Sequence, residues 1–205
     1  IDRGLLWGFE PAVSRGVQAN YSQGPFAVSV SFNDGLYSNQ YNTVSGLATW
    51  TITPADILAV AASGTTKKTT FSALNNQTIY NVMYTHTMGQ WTFNPYFQYQ
   101  DIPKYVPVGQ TKSQQIASGA LLVNYAFDSK SSLAGFSLPV RGEYVTSTGF
   151  QKYNVWSITA TPTYQYKIYF IRAEVSYTAA NIGLFGSTGA AKSQTRGVVE
   201  TGVLF

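Results

Sequence analysis

The sequence has no cysteine, a single histidine and two methionines among its 205 residues. The lack of cysteine excludes a disulfide framework and thiolate metal sites, and it fits passage through the oxidising periplasm. Charged residues make up only 11% of the chain. So few charges indicate that much of the outer surface does not face water, and the scarcity of Glu and Lys disfavours a helical fold.

Long apolar runs are missing as well. The longest, Ile57 to Ala62, is far shorter than the roughly 20 residues that a membrane-spanning helix needs. If this chain spans a bilayer, it does so as a β-barrel. The net charge of +4 is spread without basic clusters, which argues against a nucleic-acid partner. No basic start and apolar core follow Ile1, so these residues are expected to be a mature, trimmed or partial chain without a signal peptide.

What the chain does contain is period-two alternation, with fifteen Tyr and twelve Phe that favour strands. Phe26, Val28 and Val30, for example, share one face of their segment. The alternation predicts an all-β fold in one domain, residues 1–205, with strands at 15–22, 25–33, 46–53, 56–63, 77–88, 91–100, 114–127, 134–146, 154–166, 168–178 and 195–205. Leu5, Trp7 and Phe9 add a weaker opening strand, for a total of about twelve.

The predicted connections alternate in length. Short turns fall at 22–25, 53–56, 88–90, 128–134 and 166–168, and longer polar loops fall at 34–44, 64–76, 101–113, 146–154 and 179–195. Outer-membrane barrels have short periplasmic turns and long external loops. The pattern therefore predicts an antiparallel up-and-down transmembrane β-barrel whose last strand ends on the periplasmic side.

Apolar-face aromatic residues test this topology, because a transmembrane barrel places them in two girdles at the membrane interfaces. They do cluster at the predicted strand ends, and the strongest candidates are Trp50, Trp91, Trp156, Tyr166, Tyr169 and Phe205. A soluble β-sandwich would explain the alternation equally well, but neither the aromatic placement nor the loop asymmetry. Pro95, Pro139 and Pro162 fall inside predicted strands, where we expect β-bulges.

Several segments resemble the OmpL-like β-barrel porin family of Gram-negative outer membranes. They are Leu5-Leu6-Trp7-Gly8, Ser14-Arg15-Gly16-Val17-Gln18-Ala19-Asn20-Tyr21, Val30-Ser31-Phe32-Asn33-Asp34-Gly35, Pro95-Tyr96-Phe97-Gln98-Tyr99, Thr161-Pro162-Thr163-Tyr164-Gln165-Tyr166-Lys167, Arg172-Ala173-Glu174-Val175-Ser176-Tyr177 and Glu200-Thr201-Gly202-Val203-Leu204-Phe205. The similarity spans essentially the whole chain. It implies the C-terminal portion of a longer barrel, in the bacterial outer membrane.

Six charges lie well inside predicted strands, on the polar side of each: Arg141, Glu143, Arg172, Glu174, Arg196 and Glu200. A charged side chain facing lipid at mid-depth costs about 2–4 kcal/mol, so all six are predicted to line the lumen. They could set a transverse field that selects solutes, or they could form a salt-bridge ladder that fills a narrow interior. The width of the lumen decides between the two interpretations.

Other motifs carry weaker signals. Five lysines lie on the predicted long loops: Lys67, Lys68, Lys104, Lys112 and Lys192. They could favour anions or contact lipopolysaccharide phosphates, although loop lysines are more commonly solvated without such a role. His86 falls on the apolar face of its strand, which disfavours a Ser-His-acid site. The stretch 186–193 lacks the Gly before Lys that a phosphate-binding loop needs. No metal-ligand spacing or cofactor motif is present, so no cofactor is expected.

The sequence therefore predicts a non-enzymatic, porin-like channel for passive diffusion of small hydrophilic solutes. The alternatives are a structural barrel, plugged or assembled with copies of itself, and a secreted soluble β-protein. Val199, Val203 and Phe205 share one face of the last strand and resemble the signal that the barrel assembly machinery recognises. The expected partners are accordingly that machinery, outer-membrane lipid with its lipopolysaccharide, and further copies of the chain.

Overall fold

The computed structural model describes residues 4–10 and 14–204 as one antiparallel sheet of twelve strands, which confirms the predicted fold class. The strands are β1 (Gly16–Gln23), β2 (Phe26–Asn33), β3 (Thr43–Thr53), β4 (Asp56–Thr65), β5 (Thr78–Met88), β6 (Trp91–Ile102), β7 (Gln114–Ala126), β8 (Phe136–Gly149), β9 (Tyr153–Ala160), β10 (Thr163–Tyr166), β11 (Tyr169–Ala180) and β12 (Ser193–Val203). Short 3₁₀ turns cover Leu6–Phe9, Leu74–Asn76 and Val106–Val108. No helix within the described ranges is long and apolar enough to cross a membrane.

The strands follow one another around the sheet in chain order, with β9 and β10 lying end to end between β8 and β11. The sheet therefore has eleven spanning segments that alternate in direction, so β1 and β12 run the same way. Among the described residues, no pairing joins β1 to β12. These segments form a barrel wall. A closed ring in which every neighbour is antiparallel has an even number of strands, so eleven segments could close in this way only with an odd number of additional strands.

The two faces of the sheet differ in polarity. Tyr80 and Ile158 are each 52% exposed on the apolar face, whereas Gln98 and Ser157 are buried on the opposite face. We call the apolar face the outer face and the polar one the inner face. A soluble sandwich packs its apolar faces together, so exposed apolar and buried polar side chains favour a sheet whose outer face contacts lipid.

Three prolines lie within or between strands: Pro95, Pro139 and Pro162. Strand pairing is interrupted beside each of them, but its register does not shift, so the prediction of β-bulges is wrong. Pro162 divides the strand predicted at 154–166 into β9 and β10. The carbonyls of Pro139 and Pro162 still accept the N–H groups of Thr161, at 2.9 Å, and Ala173, at 3.1 Å. The Thr161 carbonyl, opposite a proline that has no N–H, accepts Thr163 Oγ1 at 3.1 Å instead.

The predicted opening strand is also wrong. Leu6–Phe9 is a 3₁₀ turn, and Leu6 is buried on the inner face among Ile102, Ile116 and Val145. Leu6 therefore packs against apolar side chains from three strands instead of continuing the sheet. The predicted count of twelve is still correct, because the division at Pro162 supplies the twelfth strand.

The β2–β3 loop is organised by Asp34, which is fully buried. Its carboxylate accepts the backbone N–H of Arg15 at 2.9 Å and of Asn39 at 3.2 Å, and it pairs with the Arg15 guanidinium at 3.0 Å. Burial alone would raise the pKa of Asp34, but these hydrogen bonds and the Arg15 charge outweigh it, so the net pKa lies below its ordinary value. The ionised form therefore stabilises the folded loop.

Replacing Thr163 with Val should lower the free energy of unfolding by about 1 kcal/mol, because the Thr161 carbonyl loses its donor. The control is Thr178→Val. Thr178 is also on the inner face, but its hydroxyl donates no hydrogen bond to a carbonyl that lies opposite a proline. Denaturant unfolding followed by circular dichroism measures both. Equal stability of Thr163→Val and the unmodified protein would show that the hydroxyl does not compensate for the proline.

Asp34→Asn should destabilise the protein at neutral pH and have a progressively smaller effect in acid. A carboxyl with a lowered folded pKa contributes its full stabilisation above its unfolded pKa, near pH 4, and loses it as pH falls through the folded value. Unfolding of both proteins between pH 7 and pH 2 measures the difference. A difference that stays constant across this range would contradict the role of the ionised carboxylate.

Candidate functional site on the inner wall

The six charges that the sequence placed in the lumen all belong to the inner face, on three strands. They are Arg141 and Glu143 on β8, Arg172 and Glu174 on β11, and Arg196 and Glu200 on β12. The short segment β9–β10 separates β8 from β11, and β12 pairs directly with β11. We call this region the charged wall.

Glu143 makes three polar contacts within the charged wall and its surroundings. Its carboxylate pairs with Arg141 Nε at 3.1 Å, accepts Ser157 Oγ at 2.8 Å and accepts the Leu6 N–H at 3.4 Å. Only 3% of the Glu143 side chain is exposed, against 21% for Arg141. A buried carboxylate is tolerated here because a guanidinium and two further donors surround it.

Arg172 and Glu200 form a separate pair nearer the short-turn end. They are direct cross-strand partners, and Arg172 Nη2 lies 2.6 Å from Glu200 Oε2, with both side chains 37% exposed. This pair is more accessible than the one around Glu143. Whether all six charges form one network stays a prediction.

The remaining two charges contribute to a cavity of about 130 Å³. Its polar lining combines two arginines, two glutamates, four hydroxyl side chains and an amide: Arg141, Arg196, Glu143, Glu174, Ser157, Thr159, Ser176, Thr178 and Gln194. Glu174 is buried and accepts Thr161 Oγ1 at 3.2 Å. Alternating charge and hydroxyl groups make this a surface that polar solutes or water would wet.

Residues 4–10, which we call the inner segment, lie against this wall. Gly4 and Leu5 close one side of the cavity, and an added Cβ at Gly4 would overlap the Glu143 carboxylate. Glu10 accepts hydrogen bonds from the Tyr96 hydroxyl and, at 3.2 Å, from Gln98 Nε2. This placement was not predicted, because the alternation of Leu5 and Trp7 is typical of a strand.

The predicted interface aromatics lie at strand ends, where several of them pair. Trp50 stacks on Phe26 with ring centroids 5.6 Å apart, Trp91 packs on Tyr125 at 4.7 Å, and Trp156 packs on Tyr177 at 5.5 Å. Tyr166 and Tyr169 flank one short turn as cross-strand partners, and both are well exposed. Phe205 lies outside the described residues. A position at the membrane interface stays a prediction for all of them.

Nothing at His86 resembles a catalytic centre. Its Nδ1 lies 2.7 Å from Asp56 Oδ1, and its ring stacks beside Tyr84 near a short turn, on the outer face. Within the described ranges, no group of three or more His, Asp or Glu side chains could hold a metal ion. Within the stretch 186–193, a bridge between Phe185 and Ala191 closes a small hairpin over residues 186–190, and Ser193 begins β12.

A family model described as "Putative beta-barrel porin-2, OmpL-like" matches residues 1–205. The chain belongs to this family. No curated protein matches the sequence. Two solved structures of OmpT, an outer membrane protein of Vibrio cholerae, share the fold. The first is a loop L8 deletion mutant, with 9% sequence identity and a TM-score of 0.64; the match covers 90% of this chain and 61% of that one. The second is in-vitro folded OmpT in a trimer form, with 10% identity and a TM-score of 0.61; the match covers 91% of this chain and 61% of that one.

These comparisons place this OmpL-like porin-family chain in the bacterial outer membrane as a β-barrel protein. At such low identity the likeness to OmpT shows the fold alone. The chain spans about three-fifths of the length of the OmpT structures.

The two ion pairs of the charged wall should differ in their contribution to stability. Glu143→Gln should lower the free energy of unfolding by about 3 kcal/mol, because it leaves Arg141 without its counter-charge in a buried site. Glu200→Gln should cost at most about 1 kcal/mol, because its partner Arg172 is more accessible to water. Urea unfolding of both variants in lipid vesicles measures the costs, and equal costs would contradict the assignment of Glu143 as the central contact.

Proposed function

We propose that this porin-family chain contributes one wall of a passive channel for small hydrophilic solutes, and that it performs no catalysis. The observation that carries the proposal is the polarity of the inner face. Charged and hydroxyl side chains cover it from β8 to β12, while the outer face is apolar. A membrane barrel with this arrangement holds water inside and contacts lipid outside.

Unsatisfied polar groups also support a hydrated interior. The Asn81 side-chain oxygen and Ser118 Oγ are buried on the inner face, and neither has a hydrogen-bond partner within the described part of the protein. Leaving such a group dry costs about 1–3 kcal/mol. Water in the barrel would supply the missing hydrogen bonds at both positions.

The inner segment would narrow this channel. Leu6 anchors it in an apolar site on β6, β7 and β8, and Glu10 binds Tyr96 and Gln98. Solutes would then pass between the inner segment and the rest of the charged wall. The wall carries three arginines and three glutamates, so its balanced charge favours weak ion selectivity.

Single-channel recording of the purified protein in a planar bilayer tests the proposal. We expect discrete conductance steps, and Arg141→Ala combined with Arg172→Ala should shift the reversal potential toward cations, because Glu143 and Glu200 lose their counter-charges. Leu6→Ser should raise the conductance by loosening the inner segment. A correctly inserted protein that stays electrically silent would contradict the channel and favour a plugged, structural barrel.

A further inference from the structure

The outer face contains a shallow apolar groove of about 600 Å³ on β7, β8 and β9, on the face of β8 and β9 opposite to the charged wall. Two glycines, which have no side chains, form the floor of the groove: Gly119 and Gly142. Larger side chains form its sides: Leu121, Tyr144, Trp156 and Ile158. A shallow apolar surface of this kind can contact a hydrocarbon chain.

The backbone does not require glycine at either position. A Cβ at Gly142 would meet nothing within 4 Å, and one at Gly119 would meet only the Tyr96 carbonyl, at 3.9 Å. Neither glycine has the positive φ that other residues avoid. The groove therefore exists because side chains are absent from the surface, and larger residues could fill it without straining the sheet.

A second, polar depression of about 680 Å³ adjoins this groove at the long-loop end. Lys112 and Lys152 both line it. Thr146 and Asn154, also in its lining, each lie two residues beyond a groove residue on the same face, about 7 Å along their strands. The Thr146 hydroxyl donates to Asn154 Oδ1 at 2.7 Å, so a side-chain hydrogen bond joins β8 and β9 at the boundary between the two depressions.

We propose that the groove and the lysine depression together bind lipopolysaccharide through its lipid A part. An acyl chain lies over Gly119 and Gly142, and the phosphates of the headgroup contact Lys112 and Lys152. The long-loop end of an outer-membrane barrel faces the outside of the cell, where the leaflet consists of this phosphorylated glycolipid. In this lipid the phosphates lie at the membrane surface and the acyl chains lie below them. The lysines at the long-loop end and the apolar groove further along the strands follow the same order.

Local charge supports an anionic ligand, because the described lining of the lysine depression includes two lysines and no Asp or Glu. Asp101, on the outer face of β6, accepts a hydrogen bond from Gln115 Nε2 at 2.9 Å, on the β6 side of β7. Amide and hydroxyl groups of Asn154 and Thr148 add hydrogen-bonding capacity for sugar hydroxyls. The inference concerns the outer face alone and does not depend on channel activity.

The test uses protein purified from outer membranes, stripped of lipid in detergent and titrated with three probes: bis-phosphorylated lipid A, the same lipid without phosphates, and phosphatidylglycerol. Native mass spectrometry and the shift in unfolding temperature report binding. We expect the bis-phosphorylated form to bind at least about ten-fold more tightly than the other two. Comparable binding of phosphatidylglycerol would overturn the proposal and indicate a general anionic lipid site.

Two double variants separate the parts of the site. Lys112→Gln with Lys152→Gln should weaken bis-phosphorylated lipid A about thirty-fold and leave the dephosphorylated lipid unchanged. Gly119→Leu with Gly142→Leu should weaken both lipids, because it fills the groove.

The controls are Lys130→Gln, in the nine-residue connection between β7 and β8 at the opposite end of the sheet, and Gly46→Leu, on the outer face of β3. Neither should change binding of either lipid. Circular dichroism establishes that every variant is folded, and the lysine variant decides the outcome if the leucine variant does not fold. Lysine variants that bind like the controls would contradict the site.

Discussion

The structure depends on one constraint: the lipid interior offers no hydrogen-bond partners to a polypeptide backbone. Every spanning segment must therefore bond to its neighbours along its whole length. The sheet keeps its register through three prolines, and at Pro139 and Pro162 the carbonyls still find donors. Among the described residues no pairing joins β1 to β12, so the first and last strands are the two edges of the described sheet.

Once the backbone is satisfied within the sheet, polarity follows from the two environments. Apolar side chains face outward, and the inner face collects groups that would be costly in lipid. Glu143 is an example. Its carboxylate is almost fully buried, and Arg141, Ser157 and the backbone N–H of Leu6 all contact it. The inner segment thus uses the charged wall as its binding surface, and the interior is structured instead of simply open.

Most of the strands could be predicted from the sequence, because period-two alternation directly reflects a sheet with lipid on one face and water on the other. The inward direction of Arg172 and Glu200 followed from the same parity, but their direct contact depended on the β11–β12 register, which no local pattern encodes. The inner segment escaped prediction for a related reason. Leu6 is placed by contacts with residues about a hundred positions away, and its neighbours alternate as a strand would.

The central claim, a water-filled interior behind an apolar outer face, is tested most directly by labelling adjacent positions on β11. The chain has no cysteine, so Val175→Cys and Ser176→Cys each introduce a single thiol, one on the outer face and one in the cavity lining. In native outer membranes, a charged maleimide should label position 176 and leave position 175 unreacted. Equal labelling of the two positions, or labelling of position 175 alone, would contradict the account.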